Sequence, residues 1–178
     1  MNTTLAFDFS VDKANRTITV KREFAADLAL VWDAFTKPEI LDQWWAPKPW
    51  KAKTKSMDFR EGGRWHYSMR GPGGEEHFPD QEHFAILDYK TIKVRQQFTA
   101  LDGFSDAEGN INKEMPRSTW DSKFTSQGEM TLVTSVLQYD DLAQLEQTIA
   151  MGFKEGLSMA MENLDALLPT LKKAASKK

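Results

Sequence analysis

Apolar residues change their period along this chain. From about residue 17 to residue 139 they mostly alternate with polar ones, and from residue 140 they recur every three or four positions. Leu142, Leu145, Ile149, Phe153, Leu157, Met161, Leu164 and Leu168 therefore fall on one stripe. That spacing predicts one long amphipathic helix from about Asp140 to Leu168. Asp140 or Asp141 can cap its first turn, and Asp141 with Gln144 has capping-box spacing. Pro169 is expected to end it, because proline cannot continue a helix. Such a stripe must be buried, and the only large partner available is the sheet made by the alternating segments.

Those segments read as strands in sequence order. Phe7 to Val11 and Thr17 to Phe24 form a hairpin around Asp12-Lys13-Ala14-Asn15. Two short helices follow. The first starts at Asp27 and carries Leu28, Val31, Trp32 and Phe35 on one side. In the second, Thr36 and Glu39 have capping-box spacing and Pro38 sits in the first turn. Strands are then expected at Lys51 to Phe59, at Arg64 to Arg70, within Glu75 to Asp88 with Pro79 breaking it, and at Thr91 to Thr99. Trp65, Tyr67 and Met69 share one face of the second of these, opposite Arg64, His66, Ser68 and Arg70. Leu101 to Arg117 reads as a long loop, and Ser118 to Thr125 with Glu129 to Tyr139 as a last hairpin. The expected architecture is α+β: a curved antiparallel sheet wrapped around a long C-terminal helix, a helix-grip arrangement. No linker or repeat divides it. The chain is expected to be one domain over residues 1–178, with a core at about 17–168 and a flexible tail at 170–178.

Composition narrows the function. The net charge of −3 gives no general attraction to nucleic acid or to anionic membranes. The chain has no cysteine, which removes disulfides, thiolate nucleophiles and Cys-ligated metals. Nothing resembles a signal peptide or a membrane span, so a cytoplasmic location is expected. With 11 Phe, 6 Trp and 3 Tyr, there are aromatics enough to fill a core or to line an apolar pocket. No nucleophile elbow, phosphate loop or dinucleotide fingerprint is present. Of the three histidines, His77 and His83 could share a strand face with Glu75. Six residues along a strand span ~20 Å, too far for shared ligation. His66 is expected on the surface. Asp102 to Asn112 lacks the spacing of a calcium loop and is better read as a lid. Gly152 and Gly156 read as a close approach of helix to sheet. No catalytic residue, metal or cofactor is assigned.

Several stretches together carry a resemblance. They are Ile18 to Phe24, Leu30 to Thr36, Trp44-Trp45-Ala46-Pro47, Arg60-Glu61-Gly62-Gly63-Arg64-Trp65, Met69-Arg70-Gly71-Pro72, and Met151-Gly152-Phe153-Lys154-Glu155-Gly156. Over residues 17–168 the chain resembles the family of proteins like the C-terminal domain of the heat-shock protein 90 ATPase activator, in particular its small bacterial members. That family lies in the START-like (SRPBCC) superfamily. The resemblance implies a helix-grip fold with a ligand held between sheet and last helix. Candidate lining residues are Trp44, Trp45, Trp65, Tyr67, Met69, Trp120, Phe124, Phe153, Leu157 and Met161, all of which would serve equally as solid core. The leading expectation is a domain that binds a small hydrophobic or amphipathic molecule. The alternatives are a chaperone-accessory interaction module and, less favoured, a cyclase- or hydrolase-like enzyme. Expected partners are the small ligand or a chaperone, with no nucleic acid, and the expected state is monomer or homodimer.

Overall fold

The computed structural model describes residues 7–46, 50–70 and 82–176. Eight strands form one antiparallel sheet in the order β1-β2-β8-β7-β6-β5-β4-β3. The strands are β1 (Phe7–Asp12), β2 (Thr17–Phe24), β3 (Lys51–Met57), β4 (Arg64–Arg70), β5 (Glu82–Lys93), β6 (Gln97–Ser105), β7 (Ser118–Gln127) and β8 (Met130–Tyr139). The helices are α1 (Leu28–Thr36), α2 (Pro38–Trp44), α3 (Leu142–Ala150) and α4 (Phe153–Ser176). The curved sheet grips α4, the START-like helix-grip arrangement. Strands β3 to β8 are joined in succession, while β2 reaches β8 across the chain, with Ile18 opposite Leu137. Alternate residues of β2 and β8 point inward, so Ile18, Val20, Phe24, Val133 and Leu137 are buried.

The final helix differs from its expected form at both ends. It is two helices, not one, because Gly152 adopts φ +85°. Its N–H closes back on the Ile149 carbonyl at 3.1 Å, and α4 restarts with Gly156 N–H on the Gly152 carbonyl at 2.9 Å. Gly152 is thus a helix-ending glycine, for which the left-handed region carries no Cβ penalty. Its role is not close packing, since a Cβ there would meet nothing within 4 Å. At the other end, Pro169 does not stop α4, which continues to Ser176. Pro169 is exposed, so water can take the carbonyl it leaves unpaired, while Leu168 and Leu171 continue the apolar stripe on the core side. The segment expected to be a flexible tail is helical as far as Ser176.

Both cap assignments at aspartates hold. Asp27 accepts from Leu30 N–H at 2.9 Å and Asp141 from Gln144 N–H at 2.8 Å. The box at α3 is one-sided, because the Gln144 side-chain oxygen instead accepts from Arg117 N–H at 3.0 Å. The Thr36 box is absent: Lys37 is the N-cap of α2, and the Thr36 hydroxyl bonds back to the Trp32 carbonyl at 2.8 Å.

Two strand boundaries also move. β5 and β6 meet at Val94-Arg95-Gln96, inside the segment expected to be one strand. Arg95 takes φ 60° there without the usual Gly or Asn, so no turn residue marks the hairpin. The expected loop from Leu101 begins only at Asp106, since Leu101 to Ser105 extend β6. The following turn is held by Asp106, whose Oδ1 accepts from Glu108 and Asn110 N–H, each at 2.9 Å. The Asn110 side-chain amide, which donates to Oδ2 at 3.0 Å, and these N–H bonds hold the Asp106 carboxyl below the usual carboxylate range.

Candidate functional site

A cavity of about 250 Å³ opens between the concave sheet face and the α3–α4 junction. Tyr67 and Met69 reach it from β4, Trp120 from β7, Trp45 from the end of α2, and Phe153 and Leu157 from α4. The aromatic rings follow one another around it, edge to face or tilted. Tyr67 and Trp45 have centroids 6.5 Å apart, Trp45 and Trp120 6.1 Å, and Trp120 and Phe153 6.1 Å. Four other candidates lie elsewhere. Trp44, Trp65, Phe124 and Met161 are buried in the solid core and do not line this space. Trp65 is stacked behind Tyr67 at 4.0 Å, and its indole N–H donates to Thr54 Oγ1 at 3.0 Å.

The polar part of the lining was missed in the sequence. Asp102 of β6 lies opposite Leu87 and so shares the inward face of Trp65 and Tyr67. Its Oδ2 accepts from Trp120 Nε1 at 2.7 Å and its Oδ1 from Ser118 N–H at 2.6 Å. Burial pushes the Asp102 carboxyl up, against the pull of these two bonds and of the nearby Arg117 charge. Burial also raises the Tyr67 and Tyr139 hydroxyls, and the Asp102 charge pushes both the same way. Three ionisable groups therefore gather at one end of an otherwise aromatic space. The signal for Asp102 was available only as an inward-facing position, and that depended on extending β6 into a segment read as loop.

On α4, the cavity faces Gly156 and Ala160 as well as Leu157, and Met151 of the α3–α4 junction stands at the rim, 46% exposed. Small residues on the helix leave the room that the sheet side would otherwise lose. His83 lines the opposite end beside Trp50, with ring centroids 5.7 Å apart. His77 lies outside the described residues, as does Glu75.

The Asp102 to Asn112 segment is no lid over this cavity. Asp106 to Asn110 folds across the opposite, convex face, where Arg64 Nη1 donates to the Gly109 carbonyl at 3.0 Å. It buries His66, which was expected on the surface and is 6% exposed. Ser105 Oγ lies 3.3 Å from His66 Nε2, but the same nitrogen lies 3.1 Å from the Asp106 carbonyl oxygen. A carbonyl can only accept, so Nε2 carries the proton and cannot act as a base toward the serine.

These features can be set beside known proteins. A family model described as activator of Hsp90 ATPase homolog 1-like protein matches residues 25–169. The chain belongs to this family. Among solved structures similar to this member of the activator of Hsp90 ATPase homolog 1-like family is protein Ms6760 from Mycobacterium smegmatis. It is 32% identical with a TM-score of 0.81, over 93% of this chain and 97% of the other. A protein from Arthrobacter aurescens is 26% identical with a TM-score of 0.83, over 92% and 91%. Protein NE0264 from Nitrosomonas europaea, 23% identical with a TM-score of 0.75 over 92% and 99%, shares the fold. No curated protein matches the sequence.

Proposed function

We propose that this protein binds a small hydrophobic or amphipathic molecule in the cavity under the α3–α4 junction. The observation that carries the reading is the space itself, about 250 Å³ walled by Trp45, Tyr67, Trp120 and Phe153. For scale, an apolar cavity of about 150 Å³ is enough to hold benzene. Aromatic walls with a few convergent polar groups are the usual composition of a small-molecule site. Native mass spectrometry of the purified protein against a denatured sample tests it. A bound mass that disappears on denaturation, and that Ala160→Phe removes, supports the reading. Equal retention by Ala160→Phe would place the molecule elsewhere and overturn it.

A second reading, an interaction module that docks on a chaperone, draws on the family description and on the apolar edge strand β1. Phe7 and Val11 are exposed there. Pull-down of a chaperone by wild type but not by Phe7→Ser/Val11→Ser would favour it over small-molecule binding. No helix among the described residues is long and apolar enough to cross a membrane. We place the protein in the cytoplasm, a setting that its lack of cysteine suits.

A further inference from the structure

Asp102 is an expensive residue to place where it stands. A carboxylate taken out of water is costly unless it is paired. Among the described residues it forms no ion pair. The nearest guanidinium, Arg117, spends its Nε on the Asp102 backbone carbonyl at 2.8 Å and turns its Nη2 to Asp88 at 3.7 Å. Trp120 and Ser118 each supply one N–H donor, one per carboxylate oxygen, and the buried Ser118 hydroxyl also favours the charged carboxylate. A carboxylate has about four lone-pair sites, so acceptor capacity remains after both are used. The carboxylate borders the cavity, and the rings of Trp120, Trp45 and Tyr67 stand around the same space. A ring face carries negative quadrupole potential, so a ring that turns its face to the ligand attracts a cation in the same sense as the carboxylate does. Among the described residues no lysine or arginine lines the cavity, and the histidine that does, His83, stands at the end away from Asp102.

We propose that the cavity selects a cationic amphiphile, a molecule with a protonated amine seated on Asp102 and an apolar or aromatic body between Trp45, Trp120 and Phe153. This rests on the cavity reading above and adds to it the charge of the ligand. The bound ammonium takes the place of the missing counter-ion. It offsets the desolvation that now pushes the Asp102 carboxyl up. An anionic ligand would meet the carboxylate while Arg117 is held by the Asp102 backbone carbonyl and Asp88, and a neutral one would leave its spare acceptor sites unused.

The test uses three probes of one shape on the full-length protein near neutral pH: 2-naphthylmethylamine, 2-naphthalenemethanol and 2-naphthoate, titrated by calorimetry. The amine is expected to bind at least tenfold more tightly than the alcohol, and the naphthoate least tightly. In Asp102→Asn the preference for the amine over the alcohol should fall from at least tenfold to about one, and a cooperative urea unfolding transition reports separately that the variant is folded. Equal binding of amine and alcohol by wild type would overturn the proposal while leaving the cavity reading in place. Asp102 would then serve only to hold the Trp120 ring. An unchanged preference for the amine in Asp102→Asn also overturns it. Failure of all three probes to bind would overturn the cavity reading and this proposal together.

Discussion

Under α1 and α2, Phe98 and Phe124 of the sheet pack with Trp32, Phe35 and Trp44 of those helices, with neighbouring centroids 4.9–6.0 Å apart. Toward the α3–α4 junction, Tyr67 and Trp120 of the sheet meet Trp45 from the end of α2 and Phe153 of α4, 6.1–6.5 Å apart. The side chains are of the same kind, yet the first group is solid core and the second walls a space. What differs is the element that faces them. The packed group is closed by α1 and α2, with Val31 and Ala34 fully buried, and by the large residues Met161, Leu164 and Leu168 of α4. The open group faces the start of α4, where Gly156 and Ala160 sit one turn apart and the helix has just been restarted at Gly152. Aromatic content alone does not make a pocket. A pocket also needs small residues opposite the rings, because close packing is the default of protein interiors.

This contrast can be broken first at the packed end. Trp44→Ala is expected to cost about 3–5 kcal/mol by urea unfolding, from a deleted large side chain and from loss of the bond its indole N–H donates to the Ala34 carbonyl at 2.9 Å. A loss below about 1 kcal/mol would show that this end is not solid. Next comes the clamp that holds α4 to β2, the ion pair of Arg22 with Asp165. Asp165→Ala leaves the Arg22 guanidinium buried without its partner. About 1–2 kcal/mol is expected, less than for a fully buried pair because Asp165 is about a third exposed. Arg22→Met in the same background should recover part of it.

At the open end the effects on stability shrink and those on binding grow. Ala160→Phe should fill the cavity and abolish binding of an amphiphilic probe, at about 1–3 kcal/mol of overpacking strain or less. Phe153→Ala removes a half-buried wall and should cost only about 1 kcal/mol while weakening binding at least tenfold. Equal damage to folding and binding would mean that Phe153 is core like Trp44. The smallest effect is one of pH. Burial raises the Asp102 carboxyl above its ordinary 3.8, so the folded state holds a proton that the unfolded chain has released. Its stabilising contribution is complete below the ordinary value and is lost as pH rises through the raised one. Asn does not titrate. The stability of Asp102→Asn relative to wild type should therefore improve as pH rises from the acid side, and a flat difference would show that the carboxyl is well solvated.

Much of the fold was legible because it rests on local periodicity. The strand Arg64 to Arg70 was read with its limits and its inward face, because period two is set by backbone geometry. The Asp27 and Asp141 caps were readable for the same reason, since a cap acts within three residues. Where reading failed, a distant contact had overruled a local signal. Pro169 continues a helix because Leu168 and Leu171 dock on the core. His66 is buried because a loop some forty residues away folds across it. Thr36 and Glu39 had capping-box spacing, but the Thr36 hydroxyl was taken by its own helix.

The amino-acid sequence by itself determined the α+β helix-grip architecture, its family, and which strand faces look inward, all of which follow from short-range pattern. Six of the ten candidate residues come together around the cavity: Trp45, Tyr67, Met69, Trp120, Phe153 and Leu157. Only the tertiary structure decided that Trp44, Trp65, Phe124 and Met161 pack as core while those six enclose a space. It alone brought Asp102 against the Trp120 indole. The reason is that an inward-facing side chain is defined by its own strand, whereas a void is defined by what stands opposite. Here that is Gly156 and Ala160, on a helix that joins the sheet only when the chain is folded.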